Sequence, residues 1–297
     1  MNLVRSIEGG ITNADGFMWN PSGTLCGVIT KSGGLAVYDV LKNFAVSFEA
    51  GCSLKGIKAF YFSPLSTYLV MTERFESKTP NLPNMSLWHV AGKTRIVEGK
   101  SRKIGGNAWP SMKWTDDELC CCRVLSPEDS PNPAVREPHI LQVLNSRTSK
   151  TENFDIPGVC LVEICTGGGE KNSTLAAIFV SAGEDRRARV AVYDLAASRK
   201  EAITEFEFDH TVDNCVFRWN KSGDTLLVQA GTEVDESGSS YYGTSKLYLL
   251  RLDNLSGGSC MPIRHEPPVH DAQWNGDGSM FCLISGPTPF RMQLLDK

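Results

Sequence analysis

Two stretches decide the fold: FMWNPSGTLCGVI at 17–29 and VFRWNKSGDTLLV at 216–228. Each is an apolar run ending in an aromatic, then a tight polar turn, then a second apolar run. The pattern returns as FYFSPLSTYLVMT from Phe60, MKWTDDELCCCRV from Met112 and AQWNGDGSMFCLI from Ala272. A degenerate copy, LVEICTGGGEKNSTLAAIFV from Leu161, fills the gap before the last two. Period-two alternation with Gly, Asn and Pro at the turns specifies antiparallel strands.

Each copy is followed by a third alternating run: LAVYDV, MSLWHV, HILQVL, VAVYDL, LYLLRL and MQLLDK. The anchors Trp19, Phe62, Trp114, Ile164, Trp219 and Trp274 are spaced by 43, 52, 50, 55 and 55 residues. Such periods match four-stranded blades with elongated loops. The expectation is therefore an all-β, WD40-like β-propeller with six four-stranded repeats visible, forming one domain, complete or partial, over 1–297. A β-sandwich fits far less well. With the aromatic closing the first strand of each blade, the chain stops at Lys297 just after the third strand of the sixth. That blade lacks its outermost strand, and LVRSIEGG near the start reads as an orphan fourth strand able to close a ring. Either six blades close in this way or the chain is a piece of a longer propeller.

The 297 residues are 41% hydrophobic and 22% charged, an ordinary globular balance. No run is long enough for a membrane helix, and the start, MNLVRSIEGG, lacks the apolar segment of a secretory signal. Net charge is −4, which argues against a dedicated nucleic-acid coat while leaving room for a local basic patch. The ten cysteines contain no C-x-x-C pair, so no zinc spacing exists and no metal is expected. Three are consecutive, Cys120 to Cys122, and read as small buried hydrophobes in strands of a reduced protein. No Gly-x-Ser-x-Gly elbow supplies a hydrolase nucleophile. CTGGGEKNST at 165–174 lacks phosphate-loop spacing and reads as a hairpin turn, and the Pro-rich 126–138 reads as a long loop. His210 and His270, just before first strands, read as structural.

Three places carry candidate binding residues. GKTRIVEGKSRKIGGNAWP, between the second and third blades, holds Lys93, Arg95, Lys100, Arg102 and Lys103 against one acid, Glu98. Phosphate contacts dominate nucleic-acid affinity, so Lys100, Arg102 and Lys103 are candidate RNA contacts; the bland alternative is a solvated strand edge. GEDRRARV offers Arg186 and Arg187 beside Glu184 and Asp185, where pairing inside the loop competes with binding. VDESGSSYYG at 234–243 joins the second and third strands of the fifth blade. Tyr241 and Tyr242 offer stacking area for a base or a protein; the alternative is that one of them, Tyr242, plugs its own loop while Gly243 permits a tight return.

FYFSP..TYLV, LPNMSLWHV, WPSMKWTDDELC and above all VDESGSSYYG resemble the eukaryotic translation initiation factor 2A family, a WD-repeat propeller family. The resemblance runs from the first repeat to the last residue. It implies a nine-bladed propeller with a flexible charged C-terminal region. With six repeats and no basic tail, this chain looks like an N-terminal portion or a shortened form. A fainter likeness to the propeller subunit of initiation factor three points the same way. The resemblance implies a cytoplasmic, non-enzymatic factor without cofactor that binds the small ribosomal subunit and engages initiator tRNA and mRNA, alongside other initiation factors and no membrane. The rival readings are a WD-type scaffold outside translation and the propeller part of a hydrolase.

Overall fold

The structure, a computed structural model, describes residues 14–51, 56–75, 82–100, 110–125, 140–165, 173–197, 201–232, 243–253 and 257–297. Among them every regular element is a strand. Blade 1 comprises β1 (Ala14–Trp19), β2 (Leu25–Thr30), β3 (Leu35–Asp39) and β4 (Ala45–Ala50). Blade 2 follows with β5 (Ile57–Phe62), β6 (Tyr68–Glu73), β7 (Met85–His89) and β8 (Thr94–Gly99). Blade 3 has β9 (Lys113–Trp114), β10 (Cys120–Val124), β11 (Ile140–Asn145) and β12 (Lys150–Asp155). The degenerate repeat is a full blade 4, with β13 (Val159–Ile164), β14 (Leu175–Val180), β15 (Arg189–Asp194) and β16 (Ala202–Glu207). Blade 5 holds β17 (Asn214–Trp219), β18 (Thr225–Gly231), β19 (Ser245–Leu252) and β20 (Gly258–Pro262). Blade 6 has three strands, β21 (Val269–Trp274), β22 (Met280–Ser285) and β23 (Arg291–Asp296). All six sheets are antiparallel meanders in chain order, as the repeat pattern specifies. The orphan-strand expectation for LVRSIEGG lies outside the described residues.

The turn between first and second strands explains the repeat. Its fourth residue after the anchor has a left-handed backbone at Gly23, Ser66, Glu118, Gly223 and Gly278, with φ from 57° to 77°. Glycine takes that conformation without steric penalty. The two non-glycine occupants use their side chains to reach a neighbouring blade. Ser66 Oγ accepts from Asn20 Nδ2 of blade 1 at 3.0 Å, and Glu118 Oε1 accepts from Leu65 N of blade 2 at 2.6 Å. Asn220 works as Asn20 does: its Oδ1 accepts from Thr225 N at 3.1 Å while Nδ2 donates to Gly278 O of blade 6 at 3.3 Å.

Five hydrophobic clusters join the six blades in sequence. Leu35, Val37 and Phe48 meet Phe60, Leu69 and Met71 between blades 1 and 2. Gly27 is required there, because a side chain on it would overlap the Phe60 ring. Met85 and Leu87 meet Met112, Trp114 and Cys121 between blades 2 and 3. The later clusters join Leu141 and Phe154 to Val162 and Ile178, then Phe179 and Phe208 to Phe217 and Leu226, then Leu227 and Leu249 to Phe281 and Leu283. None of these clusters joins blade 6 to blade 1 among the described residues. Second strands such as β6 and β14 are buried along nearly their whole length because neighbouring blades cover both faces of an interior blade, which fits the propeller and not a solvated sheet.

First strands add polar links across the same seams. The buried Tyr61 hydroxyl accepts from Met112 N at 2.7 Å and donates to Met112 O at 3.0 Å, tying blade 2 to blade 3. Lys113 pairs with Glu163 at 2.9 Å, and Arg218 with Asp271 at 2.8 Å. The anchor indoles of the last two blades donate backwards, Trp219 Nε1 to Glu163 O at 3.2 Å and Trp274 Nε1 to Arg218 O at 2.8 Å.

Candidate interaction face

Antiparallel meanders place the connections between second and third strands, and those between blades, on one face of the propeller. The turns within each first and third hairpin lie on the other. Lys100, Arg186, Arg187 and both ends of the 233–242 loop therefore share one face, hereafter the loop face. That much agrees with the sequence. The charge on this face is mixed: exposed Lys31, Arg74 and Arg187 alternate with exposed Glu98, Asp155 and Glu184.

The basic stretch after blade 2 divides differently from the expectation. It was read as a connection throughout, but Thr94–Gly99 forms β8 and pairs with β7 from Met85↔Gly99 to His89↔Thr94. Thr, Ile and Val in TRIV favour a pleated strand. Lys93 consequently sits at the hairpin turn on the opposite face. Arg95 lies over the Trp88 ring at 5.8 Å and pairs with Glu98, which occupies it within the blade. Lys100 follows β8 directly and is half-buried. Arg102 and Lys103 lie outside the described residues.

Arg186 and Arg187 have different surroundings. Arg186 Nε donates to Ser181 O at 2.9 Å, and its backbone pairs with Gly183. Its guanidinium occupies the space that a side chain on Gly158 would need, 28 residues earlier in the chain. Arg187 is exposed. Arg186→Ala is therefore expected to cost about 1–2 kcal/mol, the worth of a charged hydrogen bond and its packing. Arg187→Ala should leave stability within about 0.5 kcal/mol. Urea unfolding of the two variants checks this ordering, and equal midpoints would show that Arg186 carries no structural load.

Tyr241 and Tyr242 lie outside the described residues, so which of them packs is not assigned. The neck of their loop is described. Thr232 N donates to Thr244 O at 2.9 Å, and Thr244 N donates to Thr232 Oγ1 at 2.9 Å. A side chain on Gly243 would overlap the Thr232 carbonyl, so the tight return needs glycine.

The histidines have structural partners. His270 lies within β21 rather than before it, its Nε2 2.8 Å from Gly286 O and its ring 4.2 Å from Phe290. His210 stacks with Tyr248 and bonds Asp209, whose carboxyl that bond holds below the usual range. Cys121 and Cys122 are buried as expected and Cys120 is half-buried: burial pushes the Cys120 thiol up to about 12 and raises Cys121 and Cys122 well above the ordinary thiol value. Among the described residues no group of three or more His, Cys, Asp or Glu is placed to hold a metal, and no helix is long and apolar enough to cross a membrane.

A family model described as eukaryotic translation initiation factor eIF2A matches residues 207–297. The matched region begins at the end of β16 and takes in the closed-neck loop and the last two anchor tryptophans. The protein named eukaryotic translation initiation factor 2A in Dictyostelium discoideum is 25% identical over 278 residues, 90% of this chain and 42% of that one. Its namesake in Schizosaccharomyces pombe is 26% identical over 238 residues, 79% of this chain and 38% of that one. Over most of its length the chain is similar to proteins named eukaryotic translation initiation factor 2A. It spans about two fifths of the length of these curated family members. A crystal structure described as that of the eukaryotic initiation factor superposes with a TM-score of 0.74 at 20% identity, covering 97% of this chain and 64% of that one. At that identity the likeness supports the propeller fold alone. It extends across all six blades, covering 97% of this chain.

Proposed function

We propose that this chain acts in translation initiation as a non-catalytic propeller platform in the cytoplasm, binding the small ribosomal subunit through its loop face and assisting engagement of initiator tRNA and mRNA. Similarity to proteins named eukaryotic translation initiation factor 2A carries the reading. The face shared by Lys100, Arg187 and the Thr232–Thr244 neck supports it, as does the rigidity that five packed seams give to that face. Lys100, Arg102 and Lys103 would contact phosphates, which fix position without reading sequence. Tyr241 and Tyr242 would add stacking area, worth about 1–3 kcal/mol per base.

The mixed charge of the described loop face favours a second reading, a scaffold that binds proteins. Salt dependence separates the two. Co-sedimentation with purified small ribosomal subunits is expected at low salt, weakening steeply as salt rises. Neutralising Lys100, Arg102 and Lys103 together should lower the log–log salt slope by about 2–3, since each phosphate contact contributes about 0.7–0.9. An unchanged slope removes this stretch as a phosphate site. No binding at low salt removes the ribosomal reading for this chain.

A further inference from the structure

The outer strand of a blade carries a row of N–H and C=O groups with no strand beside it, and a bulge or a proline there discourages foreign pairing. Blades 1, 2 and 4 have the bulge: the ladder skips Ser47 in β4, Ile96 in β8 and Ile203 in β16. In blade 5, β20 is five residues long and closes on Pro262. Blade 3 has neither device. Its outer strand β12 pairs without a break from Ile140↔Asp155 to Asn145↔Lys150 and contains no proline.

One bond fixes the direction of the free groups. Ile140 O accepts from Leu125 N, which continues β10, so the backbone of Ile140 faces β10. Neighbours along a strand face opposite ways, so Leu141, Val143 and Asn145 bond their partners Phe154, Glu152 and Lys150. Thr151, Asn153 and Asp155 therefore point N–H and C=O away from the sheet. All three are exposed, and no described residue bonds to these backbone groups.

The side chains of Lys150, Glu152 and Phe154 lie on the other face of the strand, where Phe154 packs with Val162 and Ile178 of blade 4. A groove of about 590 Å³ opens on that side, between Val143, Lys150 and Glu152 of blade 3 and Leu195, Ala196 and Ala197 of blade 4. Its volume is that of a ligand site. Because β12 is the outermost strand of its blade, Lys150 and Glu152 put the groove directly beside the free edge.

We propose that the edge of β12 accepts an extended segment of a partner protein as a fifth strand of blade 3, with aliphatic side chains of that segment in the groove. Donors and acceptors that recur together at every second residue are matched by an extended polypeptide backbone, not by a phosphate chain, which offers acceptors alone. The groove sets the side-chain chemistry. Every second residue of the segment faces the walls formed by Val143, Leu195 and Ala196 and is aliphatic. The alternate residues lie beside Thr151, Asn153 and Asp155 and are polar. The charges of Lys150, Glu152 and Asp155 at this edge discourage indiscriminate pairing, so the groove and not the backbone alone selects the segment. The edge lies on the circumference, apart from the loop face, so the two surfaces can be occupied together.

Panning a phage-displayed library of linear heptapeptides on the full 297-residue chain tests this. The enriched peptides are expected to carry aliphatic residues at alternate positions, and a labelled synthetic copy of one should bind in fluorescence anisotropy. Thr151→Pro removes an outward N–H and no bond to β11, and Ala196→Arg fills the groove without touching the ladder. Each should weaken binding by about tenfold or more, the scale of a lost hydrogen bond or its equivalent in packing, at an unchanged thermal midpoint. A readout on the unaltered protein is amide exchange: bound peptide should slow Thr151, Asn153 and Asp155 by about tenfold or more while β20 amides stay unchanged. Three results would overturn the proposal: no alternating sequence is enriched, neither variant weakens the enriched binder, or the three amides exchange equally fast with and without peptide.

Discussion

Raising the pH from 8 to 11 under reducing conditions is expected to unfold this protein, with stability falling from about pH 9 upward. Cys121, Cys122 and Cys215 are fully buried, and burial raises all three thiols well above their ordinary value near 9. Burial likewise raises Tyr61, against the hydrogen bonds from Ser111 and Met112. A thiol whose folded pKa lies above its unfolded one contributes stability that is fully present below the unfolded pKa. That stability is lost as pH rises between the two values, because the unfolded chain has released its proton and the folded chain has not. Each such group contributes a slope of about 1.4 kcal/mol per pH unit, so three buried thiols give about 4 kcal/mol per unit above pH 9. Two units of that loss amount to about 8 kcal/mol, enough to unfold a domain in the lower part of the usual range of about 5–15 kcal/mol. Thermal melts at pH 8, 9, 10 and 11 measure the slope. Cys121→Ala with Cys122→Ala should reduce it by about two groups' worth, or about 3 kcal/mol per pH unit, despite lowering stability at pH 8. A flat profile to pH 11 would mean that the interior is wet at these sites. The same burial leaves these thiols protonated at neutral pH, unsuited to nucleophilic or metal-binding chemistry.

Much of this architecture is legible in the sequence because a blade is a local object. Short apolar runs such as 25–30 or 225–231 and glycine four residues after the anchor are nearest-neighbour signals, and they recur often enough to correct one another. The degenerate fourth repeat shows the benefit: LVEICTGGGEKNSTLAAIFV is weak alone, yet forms β13 and β14 where the period demands them. Side-chain roles were less legible where they depend on distant partners. Arg186 reads as a loop cation pairing with Glu184 or Asp185 in GEDRRARV, but its place is set by Gly158 and Ser181. Glu118 reads as one more acid in TDDEL, but it adopts φ 57° and accepts from Leu65 N of another blade. Arg95 reads as part of a basic loop because TRIVEG is short and charged, whereas pairing with β7 makes it a strand. The candidate face was found through topology, which the repeat supplies. Its charge balance was not, since acids from β8, β12 and the 181–188 loop converge there only after folding.

Phe281→Ala is expected to be the most damaging single substitution at the blade 5–6 seam, costing about 3–5 kcal/mol. Phe281 is 1% exposed, with its ring edge-on to Trp274 at 5.3 Å and its side chain in the cluster with Leu227, Leu247 and Leu249. Truncation removes most of a ring from a site whose walls belong to two sheets, each held by its own ladder, so the cavity cannot collapse readily. The location also predicts how the loss is distributed. Each blade packs on its neighbours, and among the described residues the hydrophobic seam of blade 6 is the one with blade 5, so the docking free energy between these two blades resides in that contact. The links Arg218–Asp271 and Trp274 Nε1 to Arg218 O cross the same boundary, and they align only while the sheets remain packed. Native-state hydrogen exchange should therefore show amides of β21, β22 and β23 losing protection by about two to three powers of ten, since each 1.4 kcal/mol is tenfold. Amides of β14 and β15, whose seams lie on both sides of blade 4, should change far less. Equal loss of protection in blades 4 and 6 would mean that the propeller opens as one cooperative unit and that the seams do not divide its stability.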